Sequence, residues 1–280
     1  MNISSAIEKG KKSLKKNFIK SASLDSQILL SKAINKDRLY ILLNPNEIIN
    51  PTNLKYFYKL ISDRSKGKPI AYITGTKDFW KFQFNVQKET LIPRPDSEII
   101  IEEALKITKN KSKLRVLEIG VGSGCILLSL LSEKQNFSGV GIDISKECIK
   151  LSEINASRLK ITNRVKFLKS DVDNFSYGKY DLIISNPPYI KKIDLSYLEK
   201  DIISFEPKRA LDGGLDGITQ IRKVIKKSSE LIKKSGKFIL EIGYDQKERT
   251  KKLLNEQGFF VDKIFKDLAK NDRCILSTKI

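Results

Sequence analysis

Short apolar runs recur through the chain at 114–118, 140–143, 165–168, 182–185 and 237–241. Each is too short for a helix and is rich in Val, Ile, Leu or Phe, the composition of a strand buried inside a sheet. Helical periodicity fills the stretches between them, as in 125–132. Strands alternating with helices predict an α/β fold with a mainly parallel sheet covered on both faces. Two further runs, 259–265 and 274–278, bring the sheet to seven strands. The first part of the chain follows a different pattern. Ser4-Ser5-Ala6-Ile7-Glu8 reads as a capped helix start, and Ser23-Leu24-Asp25 opens a second helix with Ile28, Leu29, Leu30 and Ala33 on its apolar face. Asn50-Pro51-Thr52 caps a third, which carries Leu54, Phe57, Leu60 and Ile61. The segment 77–86 alternates aromatic and polar residues and reads as a strand. Pro93 and Pro95 then stiffen the chain, and Asp96 or Ser97 caps a helix over 98–108. The expected organisation is a helical domain over 1–75, a bridging β segment over 76–97 and the sheet domain over 98–280.

Composition narrows the function. Lys and Arg number 53 against 33 Asp and Glu, a formal charge of +20. That excess points to an anionic partner such as RNA or a ribonucleoprotein, or to lysines spread over a solvated surface. The three cysteines, Cys125, Cys148 and Cys274, show no paired spacing. They fit a reducing cytoplasm rather than a disulfide framework or a zinc site. Histidine is absent, which excludes Ser-His-Asp and Cys-His catalysis and His-ligated metals. The lysine-rich N-terminus lacks the apolar core of a signal peptide, and no apolar run is long enough to cross a membrane.

Candidate chemistry clusters at the ends of the expected strands. Glu118-Ile119-Gly120-Val121-Gly122-Ser123-Gly124 follows the first sheet strand and opens a helix. Its glycines permit a tight turn and close approach of a ligand to the backbone. No Gly-Lys-Ser/Thr follows, so it is not a phosphate-cradling P-loop. Asp143 ends the second strand about twenty residues on, where a carboxylate accepts from both hydroxyls of a ribose. Glu118 can face the amino group of a bound amino-acid moiety. Asp171 ends the third strand, where a side chain can meet an adenine. Asn186-Pro187-Pro188-Tyr189 ends the fourth. Two consecutive prolines stop a central strand and hold Asn186 and Pro187 extended. An amide side chain, a stiff carbonyl and an aromatic ring at that place suit a planar NH2 group. Two oxygens accept its hydrogens and the ring lies on its face. Taken alone, the same four residues also describe a strand-ending turn with a buried tyrosine.

Taken in order, these features resemble a class I S-adenosylmethionine-dependent methyltransferase with a Rossmann-like sheet. Within that class, Asn-Pro-Pro-Tyr marks enzymes that methylate a planar NH2 nitrogen. The chain is most similar to the HemK/PrmC family, the release-factor glutamine N5-methyltransferases. The similarity covers almost the whole chain and includes Asp78-Phe79-Trp80, Leu91-Ile92-Pro93-Arg94-Pro95 with Glu98, and Glu206-Pro207. It continues through Ala210-Leu211-Asp212-Gly213-Gly214 and Asp216-Gly217. The resemblance implies S-adenosylmethionine as cofactor, held by Glu118, the loop Gly120, Val121, Gly122, Ser123 and Gly124, and Asp143, Asp171, Val172 and Asn186. It implies that Asn186, Pro187, Pro188 and Tyr189 hold the substrate glutamine, with Asn186, Pro187 and Tyr189 carrying the catalysis. It also implies that the helical domain contacts the release factor. The chain departs from the family pattern at Glu118, Val121 and Val172, where Asp, Thr and an aromatic are usual.

The expected activity is methylation of a glutamine side-chain nitrogen in peptide-chain release factors, in the cytoplasm and without a metal. Weak contact with RNA through the basic surface would accompany it. An adenine-N6 or guanine-N2 methyltransferase acting on RNA or DNA would use the same Asn-Pro-Pro-Tyr chemistry, and the charge favours it. Against that alternative, no nucleic-acid recognition motif accompanies the site.

Overall fold

The computed structural model describes residues 1–280, which form two compact units. The first comprises residues 1–76 and takes in 199–205 from much later in the chain. It is built from α1 (Ile3–Lys16), α2 (Ala22–Ile34), α3 (Arg38–Leu43), α4 (Pro51–Ser65) and α5 (Ile70–Thr74), with α9 (Lys200–Phe205) as the late addition. Its core gathers Ile3, Leu14, Leu29, Leu30, Phe57 and Ile61. Asn50 caps α4 as its sequence predicts, accepting the Thr52 N–H at 2.8 Å with Pro51 at the first helical position. The cap of α1 differs from expectation. Asn2, not Ser4 or Ser5, accepts the Ser5 N–H at 2.9 Å, because the helix begins at Ile3. The short helices α3 and α5 have too few residues for a periodic signal.

The second unit, 77–198 and 206–280, holds the sheet. Its elements are β1 (Thr76–Phe79), β2 (Phe82–Asn85), α6 (Glu98–Ile107), β3 (Arg115–Ile119), α7 (Cys125–Glu133), β4 (Ser138–Asp143) and α8 (Lys146–Arg158). There follow β5 (Val165–Lys169), β6 (Tyr180–Ser185), α10 (Thr219–Leu231), β7 (Ile232–Glu241), α11 (Lys247–Glu256), β8 (Phe259–Lys266) and β9 (Asp272–Lys279). Seven strands run in the order β5-β4-β3-β6-β7-β9-β8. The first five are parallel, and β9 is antiparallel to β7 and to β8. Successive residues of β3 and β6 serve opposite faces, as strand geometry requires. Val116, Leu182 and Ile184 join Ile100, Leu127 and Leu130 in one core. Leu117 and Ile183 join Ile221, Val224 and Leu254 in the other. Strand order reverses between β3 and β6, so a crevice opens at their carboxyl ends.

The expected single strand over 77–86 is a hairpin, β1 paired with β2. The turn carries Trp80 at φ 56°, a costly conformation for a bulky residue. Hydrogen bonds offset it: the Trp80 N–H donates to Glu98 at 2.8 Å and the indole Nε1–H to Glu133 at 2.8 Å. No Gly or Asn marks that turn, so the aromatic alternation reads straight through it. No helix is long and apolar enough to cross a membrane.

Candidate active site

A cavity of about 350 Å³ lies at the switch point. Its floor is the end of β3. Gly120 and Gly122 take φ of 78° and 55°, and a Cβ at either would meet nothing within 4 Å. Their bare faces therefore open a cradle where a ligand can lie against backbone. Asp143, at the end of β4, stands beside them. Its Oδ2 accepts the Gly122 N–H at 3.0 Å and its Oδ1 accepts the Ser145 N–H at 2.8 Å. Each carboxylate oxygen keeps a second lone pair, enough for a vicinal diol. Burial raises the Asp143 carboxyl above its usual range, while these two N–H groups and the Arg209 guanidinium draw it back. Asp171 and Val172, after β5, line the cavity together with Ile144. Phe175, three residues beyond Val172, is packed in the core instead.

Asn186, Pro187 and Pro188 form the opposite wall, at the end of β6. The loop they begin is heavily buttressed. The Ile190 N–H donates to the Leu211 carbonyl at 3.1 Å, and the Gly213 N–H donates back to the Ile190 carbonyl at 2.8 Å. Gln246 Nε2 donates to the carbonyls of Tyr189 at 2.8 Å and Gly217 at 3.0 Å. At Gly213 a Cβ would fall 2.8 Å from the Gly217 oxygen and from Tyr189 backbone carbons, so only glycine fits. The segment 206–217 is thus the scaffold of the Asn-Pro-Pro-Tyr loop. Its Glu206 accepts the Ile92 N–H at 3.2 Å and pairs with Arg94 at 2.5 Å, which fixes the Pro-rich segment ahead of α6.

Several expected site residues lie off the cavity lining. Glu118 is buried beneath the glycine loop, where it accepts the Leu127 N–H of α7 at 2.9 Å. Burial holds its carboxyl well above the usual range. Val121 is buried, and Gly124 at φ 80° turns the chain into α7. Ser123 is buried, its carbonyl taken by Asn155 at 2.8 Å. Tyr189 points its hydroxyl away to Glu241 at 3.3 Å. All of these support the wall from behind. Other residues at the site or directly behind it carry no site motif in the sequence, among them Arg209, Ser97, Glu241 and Gln246. Arg209 lines the cavity. Ser97 caps no backbone N–H of α6; it donates to the Glu241 carboxylate at 2.6 Å and accepts Nδ2 of Asn186 at 3.0 Å. Gln246 holds the loop. The one available signal was Glu241-Ile242-Gly243 ending β7, the same acid-then-glycine pattern that ends β3.

Known proteins resemble this chain along nearly its whole length. A family model described as PrmC N-terminal domain matches residues 5–75, and a methyltransferase domain model matches 110–274. A release factor glutamine methyltransferase from Clostridium botulinum is 39% identical over 95% of this chain and 95% of its own length. A bifunctional methyltransferase from Rickettsia conorii is 34% identical over 95% of this chain, which spans 56% of that longer protein. Among solved structures, a methyltransferase from Pyrococcus furiosus shares the fold, with TM-score 0.52 and 20% identity over 70% of this chain and 88% of that one. The chain belongs to the release factor glutamine methyltransferase family, a PrmC-type helical domain joined to a class I methyltransferase sheet.

Proposed function

We propose that this protein transfers a methyl group from S-adenosylmethionine to the side-chain nitrogen of a glutamine in peptide-chain release factors. The observation that carries the reading is one cavity walled by the glycine cradle and Asp143 on one side and by Asn186 and Pro187 on the other. The near-full-length relatives favour a glutamine over a nucleobase as the NH2 group received there. The residues suit the cofactor. Gly120 and Gly122 leave room for it, Asp143 has lone pairs for its ribose, and Asp171, Val172 and Ile144 surround the place for its adenine.

When bound, S-adenosylmethionine supplies an electrophilic methyl group on a sulfonium sulfur. The protein's task is to present a poor nucleophile, since an amide lone pair is delocalised. Asn186 Oδ1 accepts one N–H of the substrate and the Pro187 carbonyl accepts the other. Together they polarise the nitrogen and aim it into the cavity. Tyr189 stands behind this wall, its hydroxyl on Glu241, and supports the loop rather than facing the amide. Methylation would leave a surplus proton on the nitrogen that can depart afterwards, so no general base is required. The helical unit is assigned to docking of the release factor, and the basic surface to weak, salt-sensitive contact with RNA. The three free, buried cysteines suit a reducing cytoplasm.

The test offers purified release factor, rRNA and duplex DNA side by side with labelled cofactor. Transfer to the release factor glutamine is expected, with none to nucleic acid. Asn186→Ala should lower kcat on the order of 10²–10³-fold, the usual cost of one preorganised contact, with cofactor affinity little changed. Equal transfer to rRNA or DNA would install the nucleobase reading instead.

A further inference from the structure

The polar chain behind the cavity wall has a direction. Arg273 can only donate, and its Nη1 reaches the Tyr189 hydroxyl at 3.4 Å. Tyr189 therefore turns its own proton to Glu241 Oε1, at 3.3 Å. Ser97 gives its proton to the other oxygen, Oε2, at 2.6 Å. An ionised carboxylate only accepts, so both hydroxyls are locked as donors toward it. With its proton committed, Ser97 Oγ offers lone pairs alone, and it accepts Nδ2 of Asn186 at 3.0 Å. Which way an amide points follows from its hydrogen-bond network. With the nitrogen end held, Oδ1 is the end left for the cavity that Asn186 lines.

We propose that Glu241, acting through Ser97, is a positioning residue that sets which end of the Asn186 amide faces the cavity and so makes Asn186 an acceptor for the substrate NH2. The proposal rests on the reading of Asn186 given above. Neither Glu241 nor Ser97 lines the cavity, and they are only 1% and 2% exposed, so they act through Asn186 rather than on substrate. A neutral Glu241 reverses the chain. Its carboxylic O–H donates to Ser97, Ser97 gives its proton to the amide oxygen, and the amide turns its N–H groups to the cavity. A substrate that brings two N–H donors then meets donors.

The groups that face Glu241 are Ser97 and Asp96 ahead of α6, Tyr189 after β6, and Arg273 and Cys274 on β9. Arg94 bears on Tyr189. Burial and Asp96 oppose its charge, while Ser97, Arg273 and Tyr189 support it, and the balance places its titration at about 7. The switch therefore falls within reach of ordinary buffers.

Two measurements test this. The first is single-turnover methyl transfer to purified release factor from about pH 6 to 9, beside cofactor titration. Wild-type turnover should fall about tenfold per pH unit on the acid side of the Glu241 transition. Ser97→Ala should be slower by about 10–100-fold at pH 8, with cofactor affinity unchanged, and Ser97→Thr, which keeps the hydroxyl, should recover most of the rate. Glu241→Gln should be slow and lack the acid limb. The second needs no substrate. The side-chain NH2 signals of Asn186 in ¹⁵N-labelled protein, identified by their loss in Asn186→Ala, should titrate near neutrality in wild type and stand still in Ser97→Ala. The proposal is overturned if those signals do not move in wild type, or if Ser97→Ala turns over like wild type. It is overturned equally if Ser97→Thr is as slow as Ser97→Ala. Titrating signals with no transfer to release factor would sink the substrate assignment and leave the positioning chain standing.

Discussion

Burial at 1% exposure lifts the Glu241 carboxyl from 4.5 to about 7. Between those values the folded chain keeps a proton that the unfolded chain has released. Stability from this group is therefore fully present below about pH 4.5 and is lost as pH rises through about 7. The loss amounts to roughly 2–4 kcal/mol, the free-energy equivalent of a shift this size. Glu241→Gln, which is neutral throughout, should match wild type in acid and exceed it by that amount at pH 8 in denaturant unfolding. A constant difference across the range would show that Glu241 does not titrate in that window. A residue can thus weaken the fold in the form that serves the site. Legibility at this scale followed local spacing. Gly120, Asp143 and Asn186 sit at strand ends, where short motifs are informative. Ser97 and Glu241 lie 144 positions apart and meet only because α6 begins beside the end of β7. Nothing local marks Ser97 as more than a helix cap.

At the scale of elements, the sheet was legible because buried parallel strands need unbroken Val, Ile and Leu runs, as in β3 and β6. The boundary of β7 was not. It begins at Ile232, ahead of the expected 237, because Ile232 pairs with Tyr180 before the register shifts. The segment 206–217 stands out in the sequence only through its family resemblance, because its packing against Tyr189 depends on tertiary closeness. Gly213→Ala tests that packing. The added methyl would overlap backbone atoms at 2.8 Å, which cannot swing aside like a side-chain tip. The loop must shift, at a cost of about 1–3 kcal/mol for overpacking of this kind. Because the shift moves Tyr189 and its neighbours, turnover should fall more than cofactor affinity. Wild-type kcat in a folded Gly213→Ala protein would show that the scaffold does not set the loop.

At the scale of the molecule, the chain contributes to its helical unit twice. Residues 199–205 lie between the Asn-Pro-Pro-Tyr loop and Glu206 in sequence, yet they belong to the unit formed by 1–76. The helical pattern of the sequence ends at 75, and a six-residue helix after a proline loop carries no sign of where it packs. Its anchor is Arg64 of α4. Nε donates to Asp25 of α2 at 2.7 Å and Nη1 to Asp201 of α9 at 2.7 Å. The Arg64 side chain is 10% exposed, Asp25 4% and Asp201 33%. Arg64→Ala leaves Asp25 charged and buried without its cation, which typically costs about 3–5 kcal/mol. Asp201→Ala keeps the inner pair and should cost only about 1.5–3 kcal/mol, the range for a charge-assisted bond. Amide hydrogen exchange in α2 and α4 should show the order Arg64→Ala, Asp201→Ala, wild type, from least protected to most. Exchange within the sheet strands should stay unchanged. If the helical unit docks the release factor, Arg64→Ala should raise KM for that protein while cofactor affinity holds. Equal protection in all three proteins would mean that Arg64 is not the clasp joining 199–205 to this unit.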